Sequence, residues 1–305
     1  MQSITINSPQ NVFINYNTNL NESQVVKEAL DFHGELQKLH KSNKSSLVDY
    51  FLSREHTAKA ERVRNCGNIL TFKHYKDINV TKLDNASLCR ERLCLNCNQV
   101  NSREKALFLL KTTMDMSNLK HITLSVKNCK GNQLRCTIEA MKKALKYFLR
   151  SQHIKNYYQS YEITYNKNEN SYHPHIHLLI SDDNFTLKAR ELNNKWAKAF
   201  NRFAGTNYKW LSCKIRKVED KKAGCFELSK YVTKPQDFTP KTIPVFDREL
   251  KGLHLHQANG IFKERIKNEK TLQEKKSKEE EDYFKNFDYE LIRYIFNGDN
   301  YIKCE

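Results

Sequence analysis

The hydrophobic period changes several times through the middle of the chain, and each change marks an element. "LKHITLSVKN" alternates strictly, with Ile122, Leu124 and Val126 on one face and Thr123, Ser125 and Lys127 on the other. A period of two predicts a half-buried strand. "TIEAMKKALKYFLR" then sets Ile138, Met141, Leu145 and Phe148 on one helical face. "SYEITYN" alternates again, opposing Tyr161, Ile163 and Tyr165 to Glu162 and Thr164; a polar turn, "NKNENSY", follows, and "HPHIHLLI" returns as a strand. A helix comes next, carrying Leu192, Trp196, Ala199, Phe200 and Phe203 on one face. "KWLSCKIRKVE" is a further alternating strand with Leu211, Cys213 and Ile215 inward, and "CFELSKYVTK" is a short helix that stops at Pro235, because the residue before a proline disfavours the α region. The order strand, helix, strand, strand, helix, strand, helix predicts an α+β fold, an antiparallel β-sheet with helices packed on one face.

Outside this centre the pattern is weaker. Residues 1–60 are polar apart from "SSLVDYFLSREH" and read as an N-terminal extension or small helical arm. Residues 61–105 form a Cys-rich segment and 106–262 the main domain. The mixed-charge run "KERIKNEKTLQEKKSKEEEDYFK" has almost no apolar stripe and reads as a solvated helix or linker. "FDYELIRYIFNGDNYIKCE" recovers Leu, Ile and Phe at helical spacing, so 263–305 is expected to be a charged linker followed by a C-terminal helix.

Composition adds a partner. The 305 residues suffice for one full domain with extensions or two modest ones. Lys and Arg number 52 against 35 Asp and Glu, a formal charge of +17. Such a surplus suits a polyanion or a membrane surface, although a merely Lys-rich surface gives the same count. No apolar run approaches the ~20 residues that cross a bilayer, and the first residues lack the pattern of a signal peptide. A cytoplasmic protein with nucleic acid as partner and no membrane association is the expectation. The nine Cys are then expected to be reduced.

Candidate chemistry concentrates in three places. In a strand, His175 and His177 project together while Ile176, Leu178 and Ile180 go to the core. Two imidazoles about 6–7 Å apart at the backbone can chelate one divalent metal. If the hairpin turn centres near Asn168 and Glu169, Glu162 lies opposite His175 on the same face and is a third ligand. Two His and a carboxylate with open positions make a catalytic kind of site, suited to Mn²⁺, or to Mg²⁺ where phosphate oxygens complete the shell. His173 continues the alternation, but Pro174 is expected to disturb the strand there.

The second place is "FELSKYVTK", where helical spacing sets Glu227, Tyr231 and Lys234 on one face. A Tyr phenol can attack phosphorus when a metal polarises the phosphate and a cation favours the phenolate. Lys230 and Lys234 can supply that charge, and Glu227 can act as a general base on water. The third place holds Cys66, Cys89, Cys94 and Cys97. Four thiolates complete a tetrahedral Zn²⁺ site, although the gap of 22 residues after Cys66 is long for a compact finger and His74 can replace one Cys. Arg90 and Arg92 in "CRER" suggest that this element touches DNA. Cys129, Cys136, Cys213, Cys225 and Cys304 have no partner spacing.

Taken together these residues resemble the HUH endonucleases, with two His flanking one apolar residue on a strand and a nucleophilic Tyr on a later helix. More closely, the chain resembles plasmid rolling-circle replication initiators of the single-tyrosine-plus-glutamate group. The matching pieces are "ERVRNCGNILTF", "SLCRERLCLNC", "ITLSVKN", "YHPHIHLLI", "ELSKYVTKP" and "LKGLHLHQANGIFKE", in the family's order from about residue 61 to 264. The resemblance implies that His175 and His177 hold the metal, and that Tyr231 attacks the origin phosphodiester, keeps the 5′ phosphate and frees a 3′-OH primer. It also implies that Glu227 activates the water of the terminating cleavage, and that host helicase and polymerase take part. Two departures are modest: "CLNC" lacks the proline that often follows its first Cys, and Ser125 stands where Thr is common. A relaxase or transposase of the same superfamily, and a DNA-binding protein without nuclease activity, are the rival readings.

Overall fold

The structure, a computed structural model, describes residues 22–181, 189–229 and 234–304. The chain divides into two compact units, one formed by residues up to Glu104 together with Asn268 onward, the other by Lys105–Lys267.

The first unit opens with helices α1 (Glu22–Leu39), α2 (Lys41–Leu52) and α3 (Thr57–Arg64), followed by strands β1 (Ile69–Tyr75) and β2 (Val80–Ala86). Helix α4 (Leu95–Thr113) begins in this unit and runs into the second. The second unit continues with β3 (Leu119–Ser125), α5 (Leu134–Ser151), β4 (Tyr157–Asn166), β5 (Ser171–Ser181), α6 (Ala189–Ala204), β6 (Cys213–Lys217), α7 (Lys221–Ser229), α8 (Ile243–Leu250) and β7 (His256–Asn259). Helix α9 (Ile261–Phe284) leads back to the first unit, where β8 (Glu290–Phe296) and β9 (Tyr301–Lys303) close the chain.

The second unit is the α+β fold expected from the periodicity. Its sheet runs β6-β3-β5-β4-β7 with every neighbour antiparallel. Ile122, Leu124, Ile176, Leu178 and Ile180 are fully buried, as are Ile138, Met141 and Phe148 of α5 and Trp196 of α6. Phe148 and Trp196 meet edge to face at 6.0 Å. The Trp196 indole donates to the Ser125 carbonyl at 2.9 Å, which satisfies a buried N–H and pins the end of β3. The opposite face is divided. One half, with Leu119, Tyr158 and Leu179, is covered by Leu109 of α4, Cys225 and Leu228 of α7, and Phe262 of α9. The other half carries polar side chains and is the face to which His175 and His177 belong.

A smaller antiparallel sheet, β2-β1-β8-β9, organises the first unit, with α1 packed on it through Val26, Ala29, Leu70, Phe72, Leu83 and Ile292. Here the C-terminal residues depart from expectation. Residues 290–303 are strands rather than a helix. Leu291, Arg293 and Ile295 face outward while Ile292 goes to the core, so the period of two outweighs the helical spacing. The polar "NGDN" between β8 and β9 is a hairpin turn, closed by the Asn297 amide on the Asn300 carbonyl at 3.0 Å with Gly298 at φ 112°. The charged run is the long helix α9. No helix among the described residues is long and apolar enough to cross a membrane.

The turn from β7 into α9 rests on Gly260, at φ 58°. A Cβ there would strike the Asn156 side chain and lie 2.7 Å from the Lys155 carbonyl. The same Asn156 carboxamide oxygen accepts the Ile261 amide at 3.0 Å, so it cannot simply withdraw. Gly260→Ala should therefore destabilise the second unit by on the order of 1–3 kcal/mol in urea unfolding; an unchanged midpoint would show that the turn relaxes freely.

Candidate active site and cysteine cluster

The β4–β5 hairpin builds the first candidate site. Asn166 pairs with Ser171, leaving a turn of residues 167–170 centred between Asn168 and Glu169. The Asn166 carboxamide oxygen accepts the amides of Asn168 at 3.1 Å and Glu169 at 3.3 Å, an Asx turn that sets the register. Glu162 then falls opposite His175, as the sequence predicts, and Ser160 opposite His177. The strand runs unbroken through Pro174, which pairs with Ile163, so the expected disturbance there is not observed.

The Glu162 carboxylate lies 2.9 Å from His177 Nε2 and 3.5 Å from His175 Nε2, with all three side chains largely buried. Burial works to raise the Glu162 carboxyl, but the hydrogen bonds and charges of His175 and His177 outweigh it and hold the acid well below the usual carboxylate range. One donor atom from each residue lies within 4.8 Å of the other two, so Glu162, His175 and His177 form a group that can hold a metal ion. The donor set fits. Two donors on one divalent ion at about 2.1 Å each are separated by roughly 3 Å, and two imidazoles with one carboxylate leave coordination positions free for substrate. His173 is a neighbour, its ring 4.9 Å from that of His175, and does not belong to this group.

Behind the site stands a pair that the sequence reading misses. His121 of β3 lies parallel to His177, with ring centroids 5.3 Å apart and planes 8° from parallel. Arg216 of β6 donates Nε–H to His121 Nδ1 at 3.0 Å. A guanidinium can only donate, so the His121 proton sits on Nε2, which faces His177 Nδ1 at 3.2 Å. Burial, helped by the charges of His177 and Arg216 and opposed by Glu227, pushes the His121 imidazole down to about 4. The neutral ring thus fixes the plane of His177, whose Nδ1 accepts this bond. The only signal in the sequence is a polar residue on the site face of β3, one position before Ile122.

Glu227 lies half-buried on α7, close enough to His121 to act on its charge. Tyr231 and Lys230 lie outside the described residues. Lys234 is described, and here the expectation of one helical face fails: its backbone is extended, φ −64° and ψ 146°, because Pro235 follows. It still reaches the site, with Nζ 3.9 Å from Glu162. The turn after it is held by Asp237, which accepts the Tyr165 amide of β4 at 3.1 Å. An open groove of about 770 Å³ runs beside the histidines, lined also by Thr123, Lys127, Trp210 and Lys214.

The second candidate site lies in the first unit. Cys66 follows α3, Cys89 and Cys94 lie in the connection after β2, and Cys97 is in the first turn of α4. All four are buried. Cys66 and Cys89 each lie 3.5 Å from Cys97, and Cys94 lies 3.6 Å from Cys66, sulfur to sulfur. These separations are too long for a disulfide and near the edge of about 3.8 Å of a tetrahedron with 2.3 Å bonds. The amides of Cys89 and Arg90 point at sulfur, the former at Cys66 (3.4 Å) and the latter at Cys97 (3.3 Å). Arg90 takes φ 59° to do so. Bonds to its three Cys neighbours, with burial, push the Cys97 thiol far up. Four cysteines with no fifth donor can hold a metal ion. His74, the alternative ligand, is instead bonded through Nδ1 to Thr81 at 2.8 Å. Arg90 and Arg92 are exposed on the outside of the cysteine loop.

Comparison with known proteins places the chain. The family model described as Replication protein matches residues 80–301. The protein rep of Bacillus amyloliquefaciens is 26% identical over 288 residues, covering 80% of this chain and 84% of that one. The protein rep of a Bacillus species is 30% identical over 157 residues, 46% of this chain and 50% of that one. The protein rep of Streptococcus pneumoniae is 26% identical over 231 residues, 67% of this chain and 70% of that one. No solved structure matches the chain. A family match that spans both the strand histidines and three of the four clustered cysteines shows that the chain belongs to the Replication protein family, that of the plasmid rolling-circle Rep initiators.

Proposed function

We propose that this replication initiator opens its plasmid origin by a site-specific, metal-dependent nick made through Tyr231. The observation that carries the reading is the Glu162–His175–His177 group with the Lys234 ammonium 3.9 Å from its carboxylate, three residues along the chain from Tyr231. The Tyr231 oxygen attacks the phosphorus; the P–O3′ bond breaks as the P–O(Tyr) bond forms. The phenol gives its proton to solvent, which the positive charges of Lys230 and Lys234 favour, and the leaving 3′ oxygen takes one from solvent to become a free 3′-OH primer. The two imidazoles and the Glu162 carboxylate would hold a Mn²⁺ or Mg²⁺ ion, whose chemistry there would be Lewis-acid polarisation of a phosphate oxygen. In termination Glu227 accepts a proton from a water whose oxygen attacks the phosphodiester of the regenerated origin and breaks its P–O3′ bond; the 3′-OH so freed attacks the phosphotyrosine, displaces the tyrosyl oxygen, which regains a proton, and closes the circle. The cysteine group takes a structural zinc and presents Arg90 and Arg92 to origin DNA. The 3′-OH then passes to host polymerase behind a host helicase, in the cytoplasm.

Three outcomes are expected. Tyr231→Phe should lower nicking of a supercoiled origin plasmid by on the order of 10⁴–10⁶-fold and abolish the covalent protein–DNA adduct, with origin binding retained; an adduct formed by the Phe variant would assign another nucleophile. Glu227→Ala should nick at near the normal rate but terminate about 10²–10⁴-fold more slowly, read as retained adduct on a substrate carrying the regenerated origin; normal release of circles would remove Glu227 from that role. The purified chain should contain one equivalent of zinc by metal analysis, and Cys97→Ser should release it and lower the melting temperature of the first unit; a metal-free chain of equal stability would make the four thiols merely packed.

A further inference from the structure

The groove beside the histidines contains a residue that the nicking chemistry does not use. Trp210 is 57% exposed, whereas the only other tryptophan, Trp196, is fully buried. Its exposure is dictated by the alternation leading into β6. Leu211 and Cys213 go to the core, so Trp210 and Lys214 face out. The segment that presents the indole is firmly held. Ser212 accepts the Ser125 amide at 3.0 Å, Asn193 accepts the Cys213 amide on its side chain at 2.6 Å, and Asn201 accepts the Tyr208 amide at 3.0 Å.

Its surroundings name a ligand. His173, His175 and His177 line the same groove, and Lys127 and Lys214 supply positive charge along it. Lys127 Nζ stands 5.6 Å from the centroid of the Trp210 ring. The one carboxylate in the lining, Glu169, is engaged by Asn128 Nδ2 at 2.8 Å and Ser171 Oγ at 3.1 Å. A flat aromatic platform between cations, opening onto metal-binding histidines, fits an unpaired base joined to phosphates. A base inside a duplex is already stacked on both sides and cannot use it.

The geometry points to Trp210 as a stacking platform for one base of single-stranded DNA lying in the groove, with Lys127 and Lys214 on the neighbouring phosphates. This rests on the nuclease reading and deepens it: the site takes a melted strand, and Trp210 fixes which nucleotide sits beside the cleaved bond.

The test uses the full chain with Tyr231→Phe, so that the strand stays intact, titrated with a fluorescein-labelled oligothymidylate and with a duplex of equal length. Adding Trp210→Ala should weaken single-strand binding by about 5- to 150-fold, the loss of one stacked base, and leave the duplex within about twofold. Trp210→Phe should keep most of the affinity. Tryptophan emission should be quenched by the oligothymidylate when Trp210 is present and not in Trp210→Phe, where Trp196 alone emits; this readout needs no destabilising change. Single-strand affinity unmoved by Trp210→Ala, an equal loss on duplex, or no quenching would each overturn the inference. Nicking of a supercoiled origin plasmid by the wild-type chain is scored separately. Its absence would refute the nuclease reading and leave the binding result standing, while nicking together with Trp210-independent binding would refute the platform alone.

Discussion

The register of one hairpin governs the second unit. Pairing Glu162 with His175 and Ile163 with Pro174 puts the acid and both imidazoles on one face of the sheet and Ile176, Leu178 and Ile180 on the other. A slip of one residue would bury His175 and His177 in the α5–α6 core and expose those apolar side chains. Both the hydrophobic burial and the Asx turn at Asn166 oppose that slip. The free energy that folds the sheet therefore also positions the candidate ligands, and no separate device is needed to bring Glu162 within 2.9 Å of His177.

The divided second face explains why these polar groups tolerate burial. Leu179, two positions after His177, packs under α4, α7 and α9 with Leu119 and Tyr158, so the sheet is anchored on both sides at one end. His121 and His177 sit at the boundary, 4% and 7% exposed. Buried imidazoles need partners, and they have them in a row: Arg216 donates to His121, His121 faces His177, and His177 faces Glu162. A cation at one end and an anion at the other satisfy the chain of rings without burying a lone charge. Beyond this boundary the face opens into the groove, where His175 and Trp210 meet solvent.

What could be read from the chain follows from how local each signal is. The strands carrying Ile122–Leu124, Tyr161–Ile163 and Ile176–Leu178, and the helices carrying Met141 and Trp196, are legible because their periods lie within ten or so residues. Glu162 is legible because a hairpin links neighbours in sequence. His121 is not, since its meaning depends on β3 lying beside β5 across an intervening helix and hairpin, a long-range fact. The same holds for β8, whose Ile292 finds a core only against β1, more than 200 residues earlier. Lys234 shows the opposite case: a helical spacing is extrapolated past the point where Pro235 forbids it, yet the side chain still arrives at Glu162 because Asp237 ties the following turn to β4.

The cysteine group obeys a different economy. Its four cysteines come from the end of α3, the connection after β2 and the start of α4, and lie among the buried side chains of Ala60, Val63, Leu93 and Leu95. Lys44 of α2 reaches into the same place, donating to the Cys66 carbonyl at 2.9 Å and the Gln37 side chain at 2.5 Å. Burial pushes its ammonium pKa down, and the cysteine charges push it back up. The half-buried ammonium is satisfied by three oxygen acceptors, the third being Asn68 Oδ1 at 3.2 Å. Lys44 thus ties α2 to the cysteine group through the Cys66 carbonyl, Gln37 and Asn68, beside four thiols that can hold a metal ion.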